Sequence, residues 1–272
     1  MHRDSTMKKA LNTTLGILFL AIMLFPLYWM INTSLQSGGT AASSSFFPTA
    51  PSLDGYRLAL SQQTGNLLTS LLVSVGTVVL TLVVATPAAY ALGRFRLRWI
   101  GVFAFALLIA QMIPGIVIAN SLYPMFNDLG LLNSIPGLVL ADATHSIPFA
   151  ILIMSAFMRA LPAALIEAAR VDGAGQLRAF WSIVVPVSRN SIVTAGLFSF
   201  LFAWSDFIFG LTLTTGTKVR PVTLGIYGYL SGDVQSWAPV MATAVMSSVP
   251  AILLLVFAQK YIAAGALGGA VK

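Results

Sequence analysis

From Leu67 to Leu92 the chain reads LLTSLLVSVGTVVLTLVVATPAAYAL, a stretch without a single charged residue. A membrane-spanning helix needs about 20 consecutive, mostly apolar residues, whereas a barrel strand needs about ten of alternating polarity. The stretch is continuously apolar and too long for a strand, so it reads as a helix that crosses a bilayer. Five further runs of the same kind lie outside it, at Ala10 to Ile31, Trp99 to Tyr123, Pro136 to Met158, Ser191 to Leu213 and Trp237 to Tyr261. The expected fold class is all-α, a polytopic membrane protein with six transmembrane helices.

Composition agrees, since 57% of the 272 residues are apolar and 8% are charged, against about 25% charged in an ordinary soluble domain. Six spans would take up about 120 residues, which leaves chain for loops and little for a separate soluble domain, so residues 1–272 read as one transmembrane domain. With 0 Cys there is no disulfide framework, thiolate metal site or cysteine nucleophile, and 2 His, at positions 2 and 145, are too few for a histidine-built metal cluster. The net charge of +7 is scattered between apolar runs, which is the footprint of topology signals and not of a nucleic-acid surface.

Charge also sets the expected orientation. With both termini cytoplasmic and six crossings, Arg3, Lys8, Lys9, Arg94, Arg96, Arg98, Arg159, Arg170, Arg178, Arg189, Lys260 and Lys272 fall inside, and Arg57, Lys218 and Arg220 fall outside. That asymmetry obeys the positive-inside rule and would be scrambled by adding or removing one span. The first run follows Arg3, Lys8 and Lys9 and is read as a retained span, because it exceeds the 7 to 15 apolar residues typical of a signal core. Tyr28 and Trp29 look like its interfacial anchor.

The longest inner segment, residues 159–190, contains LPAALIEAARVDGAGQLRAFWSIVVP from Leu161 to Pro186. It is too polar to span and carries helical spacing. Pro162 suits the first turn of one short helix, with Leu161, Leu165, Ala168 and Val171 on one side and Glu167 and Arg170 on another. Residues 172–175 break that helix. Leu177, Phe180, Trp181 and Val184 then mark a second amphipathic helix, which Asp172 is placed to cap or approach.

Glu167, Ala168 and Ala169, then a gap of three to Gly173, a gap of nine to Ile183, and Val185 and Pro186 after one more residue, resemble the EAA loop of ABC importer permeases. In that pattern Val185 stands where Leu is usual. The resemblance extends over nearly the whole chain and points to carbohydrate-import permeases of the maltose type. Residues 26–35 (PLYWMINTSL) resemble that family's first-span exit, residues 87–95 (PAAYALGRF) its second-span exit, and residues 265–272 (GALGGAVK) its closing tail. Trp204, Ser205 and Asp206 resemble a Trp-Asn-acid triplet, with Ser205 in place of Asn.

The resemblance implies a heteromeric importer in the plasma membrane of a prokaryote. Its other parts would be a second, different permease, two ATP-binding cassette ATPase subunits that bind ATP and Mg²⁺, and an extracytoplasmic sugar-binding protein that delivers a carbohydrate. This chain would then be a non-catalytic subunit without a cofactor of its own. Its cytoplasmic coupling loop would place a short helix in a cleft of the ATPase, with Glu167 as the charged contact, Ala168 and Ala169 as the close-packing face, and Gly173, beside Asp172, as a turn that a side chain would obstruct. Independently, the sequence has no G-x-x-x-x-G-K-[ST] phosphate loop, so the energy has to come from another chain.

Three ionisable residues lie inside apolar runs: Asp142 and His145, three apart on one helix face, and Asp206. An Asp at mid-bilayer costs about 2.5 to 3.5 kcal/mol, so such groups face the bundle interior, a wet cavity or one another. One expectation is that Asp142, His145, Trp204 and Asp206 line the solute pathway; the other is a structural Asp–His pair, or a hinge near Pro148 whose freed backbone groups find polar partners. A permease for a polyol or a glycerophosphodiester is the near alternative, and an ion-driven carrier using these acids the distant one. Uptake that survives ATP depletion with the ion gradient intact would favour the carrier.

Overall fold

The computed structural model describes residues 2–36, 45–95, 98–216, 218–230 and 236–270. Arg96 of the basic inner loop, Asp233 of an outer loop and Lys272 of the tail lie outside them. The chain is helical throughout: α1 (His2–Ser34), α2 (Asp54–Arg94), α3 (Ile100–Gln111), α4 (Gly115–Asp128), α5 (Ile135–Ala160), α6 (Ala163–Val171), α7 (Gln176–Ala179), α8 (Val185–Val187), α9 (Arg189–Ser205), α10 (Ile208–Leu213), α11 (Val222–Leu230) and α12 (Ala238–Ala270). A π-helical turn over Phe180–Val184 joins α7 to α8. Among the described residues there is no β-strand, only an isolated bridge between Gln36 and Pro51.

Four helical segments are long and apolar enough to cross a membrane: Leu11–Ser34, Asp54–Arg94, Ile135–Ala160 and Ala238–Tyr261. Two more arise if each of two bent helix pairs is taken as one span. The third apolar run, expected as one helix from Trp99 to Tyr123, is in fact α3 and α4, bent by 93° where Met112, Ile113 and Pro114 interrupt it. Pro114 has no N–H to continue the ladder, and its extended backbone (ψ 136°) redirects the chain. The fifth run, expected from Ser191 to Leu213, is likewise interrupted, with α9 ending at Ser205 and α10 starting at Ile208. Instead α9 is joined, at an angle of 74°, to the segment Gln176–Val187 of the inner loop.

The chain forms two compact units, Met1–Thr64 with Ile226–Val249, and Gly65–Gly225 with Pro250–Lys272. In the first, α1 exposes apolar side chains along its length, among them Leu15, Phe19 and Ile22. Such a surface is stable only against lipid or another apolar chain. The exit of α1 is pinned: the Asn32 amide donates to the Ser45 carbonyl at 2.8 Å, and Ser34 and Tyr56 share a hydroxyl bond of 2.8 Å. Tyr28 donates to the Phe46 carbonyl, and Phe25, Tyr28, Trp29, Phe46 and Phe47 form one aromatic cluster, the kind of amphipathic group that anchors at a membrane interface.

In the second unit, one core joins α2 (Ala85, Ala89, Leu92), α5 (Ala150, Ile151, Met154, Met158), the π-turn (Phe180, Val184) and Ala195 of α9. A second core joins Val73 of α2, Ala119 and Phe126 of α4, Leu138 and Ala141 of α5, and Phe209 and Leu213 of α10. Small residues let the helices close up: a Cβ on Gly93 would lie 2.9 Å from the Ser155 carbonyl oxygen.

Candidate functional site

The inner loop is built around the way α6 ends. Pro162 precedes it in extended conformation (φ −57°, ψ 131°), and Asp172 is its last, half-helical residue. The Gly173 amide donates to the Arg170 carbonyl at 3.1 Å and the Ala174 amide to the Ala169 carbonyl at 2.9 Å. These are the two bonds of a Schellman cap, which requires a left-handed residue, and Gly173 supplies it at φ +82°. The reason for glycine therefore differs from the expected one. A Cβ at Gly173 would meet nothing within 4 Å, so the constraint is backbone conformation and not obstruction. Asp172 caps the end of α6 through its own amide, 3.0 Å from the Ala168 carbonyl, and does not cap the next helix, whose N-cap is Gly175.

The two alanines expected together on the face toward the ATPase are divided, Ala168 being exposed and Ala169 buried. Ile166 and Ala169 turn toward the helical core, while Leu165, Glu167 and Ala168 are exposed and Val171 is 87% exposed. Glu167 forms no hydrogen bond or ion pair among the described residues, and none joins it to Arg170. In the second segment Phe180 and Val184 are buried, with Phe180 against the Tyr90 ring at 5.2 Å, but Leu177 is 76% and Trp181 61% exposed. The π-turn accommodates this split of one apolar stripe into an inner and an outer set. The outcome is a loop with Ala169, Phe180 and Val184 held in the bundle, and with Glu167, Ala168, Val171, Leu177 and Trp181 outward.

Arg94, counted in the sequence among the inner basic residues, also fastens this loop. Its guanidinium donates to the Leu161 carbonyl at 2.7 Å and reaches the Pro162 carbonyl at 3.5 Å, satisfying acceptors left over at the end of α5. A cleft of about 750 Å³ opens beside it, lined by Arg94, Arg159, Glu167 and Arg170 among others.

A second site lies where both interrupted helices meet α5. A cavity of about 420 Å³ is lined by Gln111 and Gly115 at the first break, by Ser205, Asp206 and Phe207 at the second, and by Asp142 and His145 of α5, with Phe202, Ile208 and Phe209. Asp206 is the N-terminal cap of α10: its carboxylate accepts from the Gly210 amide at 3.1 Å and the Phe209 amide at 3.4 Å. Its own carbonyl accepts from the Thr223 hydroxyl at 2.6 Å. Asp142 is 5% exposed and has no hydrogen-bond partner among the described residues, so it is not half of a structural Asp–His pair. It lies within electrostatic reach of Asp206, as does His145. The Gln111 amide donates to the His145 carbonyl at 2.8 Å, in the turn that Pro148 deprives of a donor.

Trp204 does not join this group. It is buried and stacked on Phe200, with ring centroids 5.4 Å apart. The aromatic wall is Phe202, Phe207 and Phe209, which sequence reasoning missed together with Gln111 and Ser205. The signal for them was the pair of helix breaks, since irregular backbone at membrane depth occurs where it lines a cavity or is buried in protein.

Interrupted apolar helices, an inner loop clipped to their bases and a polar cavity at the breaks define a multi-pass transport component. The chain belongs to the family described as binding-protein-dependent transport system inner membrane component, whose family model it matches over residues 83–266. It is 32% identical, over 95% of its length and 96% of the relative's, to the trehalose transport system permease protein SugB of Mycobacterium tuberculosis. It is 30% identical, over the whole of both chains, to the melibiose/raffinose/stachyose import permease protein MelC of Bacillus subtilis. A bacterial ABC transporter involved in the import of the acidic polysaccharide alginate contains a chain of the same fold, with a TM-score of 0.80 at 23% identity over 95% of this chain and 98% of that one. The protein is thus a multi-pass inner membrane permease subunit of an ABC importer, and it is non-catalytic: ATP hydrolysis belongs to partner subunits.

Proposed function

We propose that this chain forms half of the translocation pathway of an ATP-driven carbohydrate importer, paired with a second, different permease. In this reading residues 1–272 are one permease domain with six spans and both termini cytoplasmic, counting each interrupted apolar run as one crossing. Residues 159–190 are the coupling loop. Two ATP-binding cassette subunits carry ATP and Mg²⁺, and an extracytoplasmic binding protein delivers the sugar. The sugar-importing relatives support the substrate class, and the charge asymmetry supports the orientation.

The observation that carries the coupling role is the exposed face of α6. Glu167, Ala168 and Val171 stand outward on a helix closed by the cap at Gly173, while Ala169 ties the same helix to the bundle. A rigid element with one face outward and the other packed on the spans transmits movement of a partner to the pathway. Glu167 is the charged contact, Asp172 and Gly173 fix the end of the lever, and Asp142, His145 and Asp206 line the pathway.

The test is ATPase activity of the complex purified with its co-expressed partner subunits, with and without ligand-loaded binding protein. Gly173→Trp and Glu167→Ala should lose most of the stimulated turnover while the complex stays assembled, or fail to retain the ATPase. Native turnover in both variants, with transport intact, would refute the coupling role.

A further inference from the structure

The cavity at the two helix breaks has a donor and acceptor balance that discriminates among solutes, and this inference rests on the reading of that cavity as part of the sugar pathway. Acceptors dominate. Asp142 offers a carboxyl group that no protein donor occupies. The Asp206 carboxylate is shared with two backbone amides but keeps lone pairs in the lining. Gln111 spends one of its two amide N–H groups on the His145 carbonyl, which leaves its oxygen and one donor, and Ser205 donates its proton to the Leu201 carbonyl at 2.7 Å, which leaves its lone pairs. The His145 ring and the second Gln111 N–H are the side-chain donors among the lining residues that are not already spent, and among the described residues no Lys or Arg lines the cavity.

Electrostatics point the same way. The α10 N-terminus balances part of the Asp206 charge and the N-terminus of α4, at Gly115, also faces the cavity. A helix N-terminus carries about half an elementary charge, so neither cancels a neighbouring carboxylate. The walls add Phe202, Phe207 and Phe209, faces that suit the apolar side of a sugar ring or an ammonium group. The volume of about 420 Å³ lies within the range of small-molecule sites, about 300–1,000 Å³.

The geometry points to a charge filter: the cavity takes uncharged or ammonium-bearing polyhydroxylated solutes, and excludes carboxylated or sulfonated ones, whose acid group replaces donors by acceptors and adds a charge like that of the carboxylate already in the lining. A site that leaves acceptors unmatched, or faces them with another anion, discriminates strongly because buried polar groups are then unpaired. Asp142 is the specificity-determining residue. The fold alone does not dictate this outcome, since a solved chain of the same fold comes from a transporter involved in the import of an acidic polysaccharide.

The test uses one ring in three charge states, glucose, glucosamine and glucuronate, added at equal concentration and matched ionic strength to the detergent-purified complex without binding protein. The readout is the shift in unfolding temperature. Glucose and glucosamine should stabilise the complex and glucuronate should bind about tenfold more weakly or worse. Asp142→Asn should narrow that gap. Ser205→Lys, which adds a cation without touching Asp142, should narrow it as well and serves if Asp142→Asn does not fold. Equal stabilisation by glucuronate in the native complex, or an unchanged gap in both variants, would overturn the filter while leaving the coupling result untouched. If no sugar stabilises the native complex although the Glu167 and Gly173 variants uncouple it, the pathway reading of this cavity fails and the filter with it.

Discussion

Two helices in this protein stop abruptly, and they are finished in different ways. At the inner loop, α6 ends at Gly173 through two backbone bonds and a left-handed residue, without help from any side chain. Between the two halves of an apolar run, the chain leaves α9 at Asp206 and restarts as α10, and there side chains do the finishing: the Asp206 carboxylate accepts from two amides and the Thr223 hydroxyl donates to the Asp206 carbonyl. The difference follows from the solvent. Water at the loop satisfies what the cap leaves over, so geometry suffices there. An apolar surrounding offers no such partner, so each freed backbone group needs one from the protein.

The largest expected effect comes from removing the half-buried cap at Asp206. Asp206→Ala leaves the Phe209 and Gly210 amides unpaired, which should cost about 2–4 kcal/mol and lower the temperature at which the solubilised complex aggregates. Asp206→Asn, which keeps an acceptor, should recover most of the loss. If the alanine variant is as stable as the native chain, the contrast between the two helix ends collapses. A smaller effect is expected at the loop, where Gly173→Ala forces a Cβ into the left-handed region at about 1–2 kcal/mol. Gly175→Ala, two residues on at φ −66°, should be nearly neutral, and stimulated ATPase activity of the pair separates conformation from mere loss of a glycine. The smallest effect is expected from Arg94→Ala. It removes the bonds to the Leu161 and Pro162 carbonyls, and at a partly exposed site this costs about 1 kcal/mol, seen as a modest drop in stimulated turnover with assembly preserved.

The apolar runs were legible because a bilayer demands length and hydrophobicity and little else, which is why Leu67 to Leu92 was found whole inside α2. Their interruptions were less so. Pro114 signalled a kink but not a 93° bend, because the angle depends on how α4 packs through Ala119 and Phe126 against α5. Asp206 announced itself as a costly acid, yet its role as a cap depends on the chain leaving the helix at that residue. In the loop, the EAA register located α6 and its glycine, but helical spacing grouped Leu165, Ala168 and Val171 on one side although Ile166 and Ala169 are the residues that pack. Amphipathic spacing identifies an apolar face; it does not say whether that face meets its own bundle or a partner. The cavity's aromatic wall was illegible, because Phe202 and Phe209 are ordinary residues of apolar runs until two breaks bring them beside Asp142.

The central claim, that the outward face of α6 docks on a partner ATPase, has a direct test because the chain has 0 Cys. A single cysteine introduced by Val171→Cys, at a position 87% exposed in the chain alone, is the only thiol that a label can find on it. The measurement is the rate of modification by a membrane-impermeant maleimide in inside-out vesicles, with and without the co-expressed ATPase subunits. Fast labelling of the chain without them, and protection of about tenfold or more in the assembled complex, is the predicted result. Equal labelling in both preparations would mean that the exposed helix faces water in the working transporter, and the coupling account would be wrong.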